Sequence, residues 1–124
     1  MSIEMEWADK SQRILLITYT SPIIDGSHLE DGFLRGLEMI ADIDHAFTLV
    51  IDQRQLTQVT GGFLENFSRF GTLDHSQVTR VIVVTSHRRM RALLSLFMRI
   101  FRTQVTMVES LEAAFQLSQD GAPV

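Results

Sequence analysis

Three apolar runs, each followed by residues at helical spacing, constrain the fold of this chain most strongly. The runs are RILLITYT, FTLVID and TRVIVVTS, and their density of apolar residues predicts strands that are buried on both faces. After the first run, Leu29, Phe33, Leu37 and Ile40 recur every three or four residues, as on the inner side of a helix. Strands that alternate with helices are typical of an α/β protein with a mostly parallel sheet.

The remaining elements follow from weaker local signals. SIEMEWA alternates between apolar and acidic residues, so it predicts an edge strand that forms a hairpin with RILLITYT. Ser27 and Glu30 have the spacing of a capping box, which predicts a first helix over residues 27–43. The other predicted elements are a helix over 63–70, a helix from Arg88 to Phe101, the strand QVTMV, and a helix over 111–119 capped by Ser110. The predicted order is ββαβαβαβα in a mixed, mostly parallel sheet.

Length and composition narrow the class of protein. The chain has 124 residues without a linker or repeat, so we predict a single domain over residues 1–124. Its net charge of −4 argues against nucleic-acid binding, and its lack of cysteine is compatible with the cytoplasm. The N-terminus is acidic and the longest apolar stretch, ALLSLFM, is short, so we expect a soluble cytoplasmic protein without a signal peptide or transmembrane segment.

Motifs for catalysis and for cofactors are absent from the sequence. It contains no G-x-G-x-x-G, P-loop, G-x-S-x-G or H-E-x-x-H motif, so we expect no cofactor and no catalytic machinery of these types. The four histidines are scattered, which predicts no metal site unless Asp44–His45 and Asp74–His75 converge in space. Asp52 ends a buried strand, where ligands gather in parallel sheets, and it is the main candidate for acid–base chemistry.

The segment SHRRMRALLSLFMRIFR, residues 86–102, concentrates positive charge. On a helix, Arg88, Arg91, Arg99 and Arg102 fall within one narrow arc, opposite an apolar side that includes Phe97. Residues 88–102 carry a charge of +5 and no acid, which leaves −9 on the rest of the chain. The charge is therefore strongly polarised.

Four interpretations of this arginine segment remain open. It docks on an acidic protein surface, or it lies against anionic lipid. Alternatively, its first turn binds an anion through Ser86 as a cap together with Arg88 and Arg89. In the fourth interpretation it is a solvated face whose arginines pair with neighbouring acids. Its wide apolar side is also compatible with a homodimer, in which a second copy of the chain covers apolar surface.

The order of elements resembles that of the SpoIIAA-like superfamily, which includes the STAS domains of anti-anti-sigma factors and SEC14-like domains. Two stretches carry the resemblance: FTLVIDQRQLTQVTGGF, residues 47–63, and RVIVVTSHRRMRALLSLFMRIFRTQVTMVESLEAAFQLS, residues 80–118. The second is most similar to uncharacterised bacterial STAS/SEC14-like proteins. The resemblance implies a SpoIIAA-like fold and a regulatory or docking module, usually without catalysis.

The resemblance also implies a place for a phosphorylation switch. In the anti-anti-sigma branch, Asp-Ser-Ser-Gly follows the equivalent strand, and a serine there is phosphorylated. This chain has Val59-Thr60-Gly61-Gly62 instead, which lacks the serine and is one residue short. Thr60 is the nearest hydroxyl, so it is the phosphorylation candidate, although its residue type equally predicts a cap for the second helix.

Together these observations predict a small non-catalytic regulatory or docking module with an unidentified protein partner. The residues expected to bind an anion or partner lie at the start of the third predicted helix and at the end of the neighbouring strand FTLVID. They are Ser86, His87, Arg88, Arg89, Arg91 and Asp52. The first alternative is a domain that binds lipid or a small anion through the arginine segment. The second is an enzyme that acts on an anionic small molecule, with Asp52 or His87 as the acid–base group.

Overall fold

An antiparallel hairpin begins the fold, as predicted. The computed structural model describes residues 3–59, 77–88, 91–92, 95 and 105–120. Strand β1 (Ile3–Trp7) pairs with β2 (Ile14–Tyr19) from Ile3 opposite Tyr19 to Trp7 opposite Leu15. Asp9 holds the turn between them, because its Oδ1 accepts hydrogen bonds from the backbone N–H groups of Arg13 (3.0 Å) and Ile14 (3.1 Å).

Four strands form the parallel part of the main sheet. Strand β2 pairs with β4 (Phe47–Asp52), β4 with β6 (Val78–Val84), and β6 with β7 (Val105–Val108), all in parallel. The order across the sheet is β1-β2-β4-β6-β7. A separate pair of two-residue strands, β3 (Ile23–Ile24) and β5 (Gln58–Val59), is also parallel and was not predicted. The mixed, mostly parallel α/β sheet is therefore confirmed.

Both faces of the main sheet are apolar and lie beneath helices. Helix α1 (Gly26–Ile40) packs against β1 on one face, and helix α2 (Leu111–Asp120) packs against β4, β6 and β7 on the other. Alternate strand residues supply the two cores, since neighbouring side chains of a strand point to opposite faces. The core on the α1 side includes Ile17, Ile51 and Val83, and the core on the α2 side includes Val50 and Ile82.

Helix α1 differs from the predicted range of 27–43 at both ends. Helix α1 begins at Gly26 and ends at Ile40, and its N-cap is Asp25, not Ser27. Asp25 Oδ1 accepts from the His28 backbone N–H (3.1 Å), while His28 Nδ1 accepts from the Asp25 backbone N–H (3.2 Å). Asp25 is the N-cap because it lies three residues before His28, so that its carboxylate and the His28 ring form the two hydrogen bonds of a capping box. Helix α2 agrees with the prediction, and Ser110 Oγ accepts from the Ala113 N–H (3.1 Å) at its start.

Two predicted helices lie wholly or partly beyond the described part of the chain. The helix predicted over 63–70 is outside the described residues. Of the predicted arginine helix, the structure describes Arg88, Arg91, Ala92 and Ser95, and all four are helical. Among the residues that the structure describes, no helix combines the length and hydropathy needed to cross a membrane.

Candidate functional site

The carboxyl ends of β4 and β6 lie side by side, which is the arrangement on which the predicted site depends. Asp52 is in register with Val84, and the Gln53 N–H donates to the Val84 carbonyl oxygen at 2.8 Å. The Thr85 N–H in turn donates to the Val108 carbonyl oxygen at 3.0 Å. We call this region the strand-end edge; its residues are Asp52, Gln53, Arg54, Thr85, Ser86, His87, Arg88 and Arg91.

A buried carboxylate at the strand-end edge is closed off by an arginine. The Asp52 side chain is only 7% exposed, whereas the Arg54 side chain is 43% exposed. Arg54 Nε donates to Asp52 Oδ1 and Arg54 Nη2 donates to Oδ2, both at 2.9 Å, and the Arg54 backbone N–H adds a bond to Oδ1 at 3.1 Å. Hydrogen bonding to Asp52 raises the pKa of Arg54. Both Asp52 oxygens are therefore engaged by donors from the chain itself.

Two neighbouring polar side chains are buried without such partners. Gln53 and Thr85 are both fully buried. Within the part of the chain that the structure describes, Gln53 Nε2, Gln53 Oε1 and Thr85 Oγ1 make no hydrogen bond. Leaving a polar atom buried and unpaired costs about 1–3 kcal/mol. These unpaired atoms lower the stability of the fold at the strand-end edge, and apolar packing there does not require them.

Tyr19 lies next to these groups because Thr18 is in register with Asp52, so the following residues of β2 and β4 are neighbours. Burial raises the pKa of the Tyr19 hydroxyl well above its usual range, and the nearby Gln53 amide offsets only part of this. Tyr19 is therefore held neutral, and it adds a hydroxyl to the polar end of an otherwise apolar core. Gln53 and Thr85 were not singled out from the sequence. Each is a polar residue at the end of a buried strand: Gln53 directly follows FTLVID, and Thr85 directly follows RVIVV.

The described arginines differ in their partners. Arg91 Nη1 donates to Glu109 Oε1 at 3.0 Å in an exposed ion pair, which matches the interpretation that the arginines pair with neighbouring acids. Arg88 is exposed, and no ion pair involves it among the described residues. Arg89 lies outside the described residues. Arg88 is therefore the described arginine of this segment whose charge faces solvent.

The arginine helix starts at the predicted residue, but its cap differs from the prediction. The Arg91 N–H donates to the His87 carbonyl oxygen at 2.9 Å, and Arg88 is the first helical residue. His87, not Ser86, therefore occupies the N-cap position. Ser86 is exposed directly before it. Of the predicted anion-binding residues, Ser86, His87 and Arg88 follow β6, the strand that pairs with β4 at Asp52, whereas the expected cap at Ser86 is wrong.

Two further predictions fall partly beyond the described chain. Thr60 lies outside the described residues, so phosphorylation there stays a prediction. The described residues contain no group of three or more histidine, cysteine or acidic side chains able to hold a metal ion. Asp74 and His75, which the convergent metal site would need, are outside the described residues.

Comparison with known proteins identifies the fold. No protein-family model and no curated protein matches the sequence. The structure is similar to the crystal structure of an uncharacterised DUF3478-family protein with a SpoIIAA-like fold from Shewanella loihica PV-4. The TM-score is 0.72 over 93% of this chain and 92% of the other, with 11% sequence identity. At that identity the likeness establishes the SpoIIAA-like fold, as the sequence resemblance implied, and leaves the activity to be argued from the site.

Proposed function

We propose that this chain, with its SpoIIAA-like fold, is a non-catalytic module that binds a protein partner at the strand-end edge. The observation that carries the proposal is the closed Asp52–Arg54 pair. Asp52 is the candidate acid–base group, and Arg54 occupies both of its oxygens. A general base needs a free oxygen within hydrogen-bond reach of the proton that it abstracts. The geometry therefore favours binding over acid–base catalysis.

The buried polar groups support a binding role for the same edge. Gln53 and Thr85 carry polar atoms that cost stability where they stand. Features that cost stability are found preferentially at functional sites, since the sequence is otherwise free to place apolar residues there. Arg54, Ser86 and Arg88 add donors that face solvent around this polar centre. An acidic or phosphorylated protein surface has the matching chemistry.

Comparative affinity purification from the native host tests this proposal, with quantitative mass spectrometry of the retained proteins. The edge variant is Arg88→Glu/Arg91→Glu, which reverses two charges at the strand-end edge. The matched control is Lys10→Glu/Arg13→Glu, which reverses two exposed charges in the β1–β2 turn at the opposite end of β2. We expect a stoichiometric partner to be lost from the edge variant and kept by the control. A partner kept by both variants would place the docking surface elsewhere.

A second candidate function is binding of a small anion or an anionic lipid surface, and the exposed Arg88 side chain favours it. Such binding weakens with salt, because the attraction between exposed charges is screened. Cosedimentation with vesicles that contain phosphatidylserine tests it, with phosphatidylcholine vesicles as the control. Binding that falls with added salt and is lost in Arg88→Glu would support this candidate. Binding that is unchanged by salt and by the substitution would exclude it.

The proposed setting is the cytoplasm, in keeping with the absence of cysteine. A homodimer remains a proposal for the apolar surface of the arginine segment. Sedimentation velocity at several concentrations tests that proposal directly, because a dimer in equilibrium with its monomer changes its sedimentation coefficient with concentration.

A further inference from the structure

Helix α1 presents a second surface, whose chemistry is opposite to that of the arginine segment. Leu34 is 53% exposed and Leu37 is 37% exposed, and these two side chains lie one turn apart on the solvent side of the helix. Exposed carboxylates border them, from Glu30 and Asp31 in the preceding turn and from Glu38 in the following one. We call these five residues the α1 face.

The leucines of the α1 face are not needed to attach the helix to the sheet. The opposite side of α1 rests on β1, and it approaches so closely that a Cβ on Gly32 would lie 3.3 Å from Ile3 Cδ1 and from Met5 Cε. Arg35 Nη2 also donates to the Ile3 carbonyl oxygen at 2.6 Å. Because the helix is seated by these contacts, Leu34 and Leu37 remain available to a partner. Burying a leucine completely contributes about 1.5–3 kcal/mol.

The carboxylates of the α1 face have no basic partner within the described residues. None of the described ion pairs involves Glu30, Asp31 or Glu38. Arg35, the one arginine or lysine of α1, donates to the Ile3 carbonyl oxygen. The α1 face is therefore an apolar pair inside a uniformly negative surround, and a complementary surface must carry positive charge around an apolar centre.

Three other contacts of the α1 face are less favourable. A symmetric pairing of two α1 faces would bring the carboxylates of both copies together, which is repulsive. A contact between the α1 face of one copy and the arginine segment of another matches in charge, but it is head-to-tail and would assemble the chain into rings or open filaments. Anionic lipid is repelled by the same carboxylates. The charge pattern thus selects a different protein.

From these observations we infer that the α1 face is a docking surface for a basic amphipathic helix of a partner protein. The leucines supply the apolar contact, as in other complexes where a helix packs its apolar side onto an apolar patch. The carboxylates speed association and select basic sequences over acidic ones. This surface is separate from the strand-end edge, so the chain would be able to bind two partners of opposite charge.

A synthetic peptide of about five helical turns tests the inference, with leucines on one side and lysines on the other. Binding of the labelled peptide to the full chain is followed by fluorescence anisotropy. A scrambled peptide of the same composition is the first control, since it keeps the charge and loses the apolar side. We expect the amphipathic peptide to bind at least about tenfold more tightly than the scrambled one, given two leucines buried in the complex.

Three variants separate apolar docking from general charge attraction. Leu34→Gln/Leu37→Gln keeps the charge and helix propensity, and we expect binding about tenfold weaker. Glu30→Gln/Asp31→Asn/Glu38→Gln should weaken binding and flatten its dependence on salt. The matched control removes three exposed charges from β1 and α2, by Glu4→Gln, Glu6→Gln and Glu112→Gln, and should bind within about twofold of wild type, as expected for well-separated sites.

Several results would overturn the inference. If the matched control weakens peptide binding as much as the α1-face charge variant does, the interaction depends only on net charge. If Leu34→Gln/Leu37→Gln binds the peptide as tightly as wild type, the leucines make no contact with it. A wild-type chain that self-associates, with Leu34→Gln/Leu37→Gln monomeric, would make a second copy the occupant. Circular dichroism of each variant checks that α1 is still folded. None of these results depends on the strand-end edge, so they leave the proposed function to its own test.

Discussion

The strand-end edge and the α1 face differ in how their charges are compensated. At the edge, Asp52 pairs with Arg54 and Arg91 pairs with Glu109, and only Arg88 among the described arginines there has no described ion pair. On the α1 face three carboxylates stand together without a cation among the described residues. Charges that are paired internally contribute to stability, whereas unpaired exposed charges act mainly on association. The difference therefore divides structural charges from charges that are free to meet a partner.

The two regions also break the usual distribution of polarity in opposite ways. The strand-end edge buries polar atoms of Gln53 and Thr85, and the α1 face exposes Leu34 and Leu37. Single exposed leucines are common on protein surfaces, but a buried unpaired amide is not. For this reason mutations at the buried polar atoms of the edge are expected to change the free energy of unfolding, whereas mutations at the exposed leucines of the α1 face are expected to change binding.

The largest effect should come from the inner side of α1, and it tests whether the α1 face is surface or core. Gly32→Leu places a side chain where Ile3 and Met5 leave room for no more than a tight Cβ. We expect the free energy of unfolding to fall by about 3 kcal/mol, because the helix must move away from β1. Urea denaturation followed by circular dichroism measures this loss.

The matched change on the outer side of the same helix is Leu34→Gln. It should alter the free energy of unfolding by less than about 0.5 kcal/mol, as for other surface substitutions. A loss comparable to that of Gly32→Leu would show that Leu34 is part of the core. The α1 face would then not be a docking surface.

The next largest effect concerns the two ion pairs of the strand-end edge. Arg54→Ala leaves Asp52 buried without its two side-chain donors, and we expect a loss of about 2 kcal/mol, below the full cost of breaking a buried pair because Arg54 itself is partly exposed. Arg91→Ala breaks an exposed pair and should cost less than about 0.5 kcal/mol. Equal losses in thermal or urea unfolding would contradict the contrast between buried and exposed pairs.

A smaller effect of opposite sign is expected at the buried polar atoms. Thr85→Val keeps most of the side-chain volume while removing a hydroxyl that makes no hydrogen bond within the described residues. It should raise the free energy of unfolding by about 1 kcal/mol, since an apolar group of similar shape carries no desolvation cost. Gln53→Met should gain less, because it also removes the amide next to the buried Tyr19 hydroxyl. If these variants also lose the partner found by affinity purification, the polar atoms were retained for binding. A loss of stability would mean that ordered water or another group satisfies them.

The strands were predictable because their signals are local. FTLVID and TRVIVVTS match β4 and β6 to within two residues, since a run of buried apolar residues marks a strand wherever it pairs. Ser110 was identified as the cap of α2 for the same reason. The two-residue strands β3 and β5 were missed because their pairing joins segments far apart in the sequence, and two residues carry no periodicity.

The candidate site was predictable only in outline. Two strand ends at one edge follow from parallel topology, so the ends of β4 and β6 were predicted side by side, as the register of Asp52 with Val84 shows. The Asp52–Arg54 pair depends on the path of the loop after β4, which apolar patterning does not encode. Burial of Gln53 and Thr85 depends on what packs over the strand ends. The sequence also assigned the caps of two helices to Ser27 and Ser86, whereas Asp25 and His87 occupy those positions.

The smallest predicted effect uses a third carboxylate to sharpen the same comparison. Asp9 is partly buried, which raises its pKa, but hydrogen bonds from the Ser11 hydroxyl and from the Ile14 and Arg13 amides outweigh this and hold the pKa below its usual value. A carboxyl whose pKa is lowered on folding stabilises the protein above its unfolded pKa, and the stabilisation is lost as the pH falls through the folded pKa.

Acid titration of stability should therefore separate Asp9→Asn from wild type. Below about pH 4, near the unfolded pKa of aspartate, the free energy of unfolding should fall more steeply in wild type than in Asp9→Asn, which has no proton to gain. Ser11→Ala should lie between the two, because it removes one donor and keeps the backbone amides. Parallel curves for all three proteins would show that the turn carboxylate gains nothing from its donors. A graded series would establish that the Asp9 carboxylate stabilises the fold through the donors of its own turn, in contrast to the carboxylates of the α1 face, which have no described basic partner.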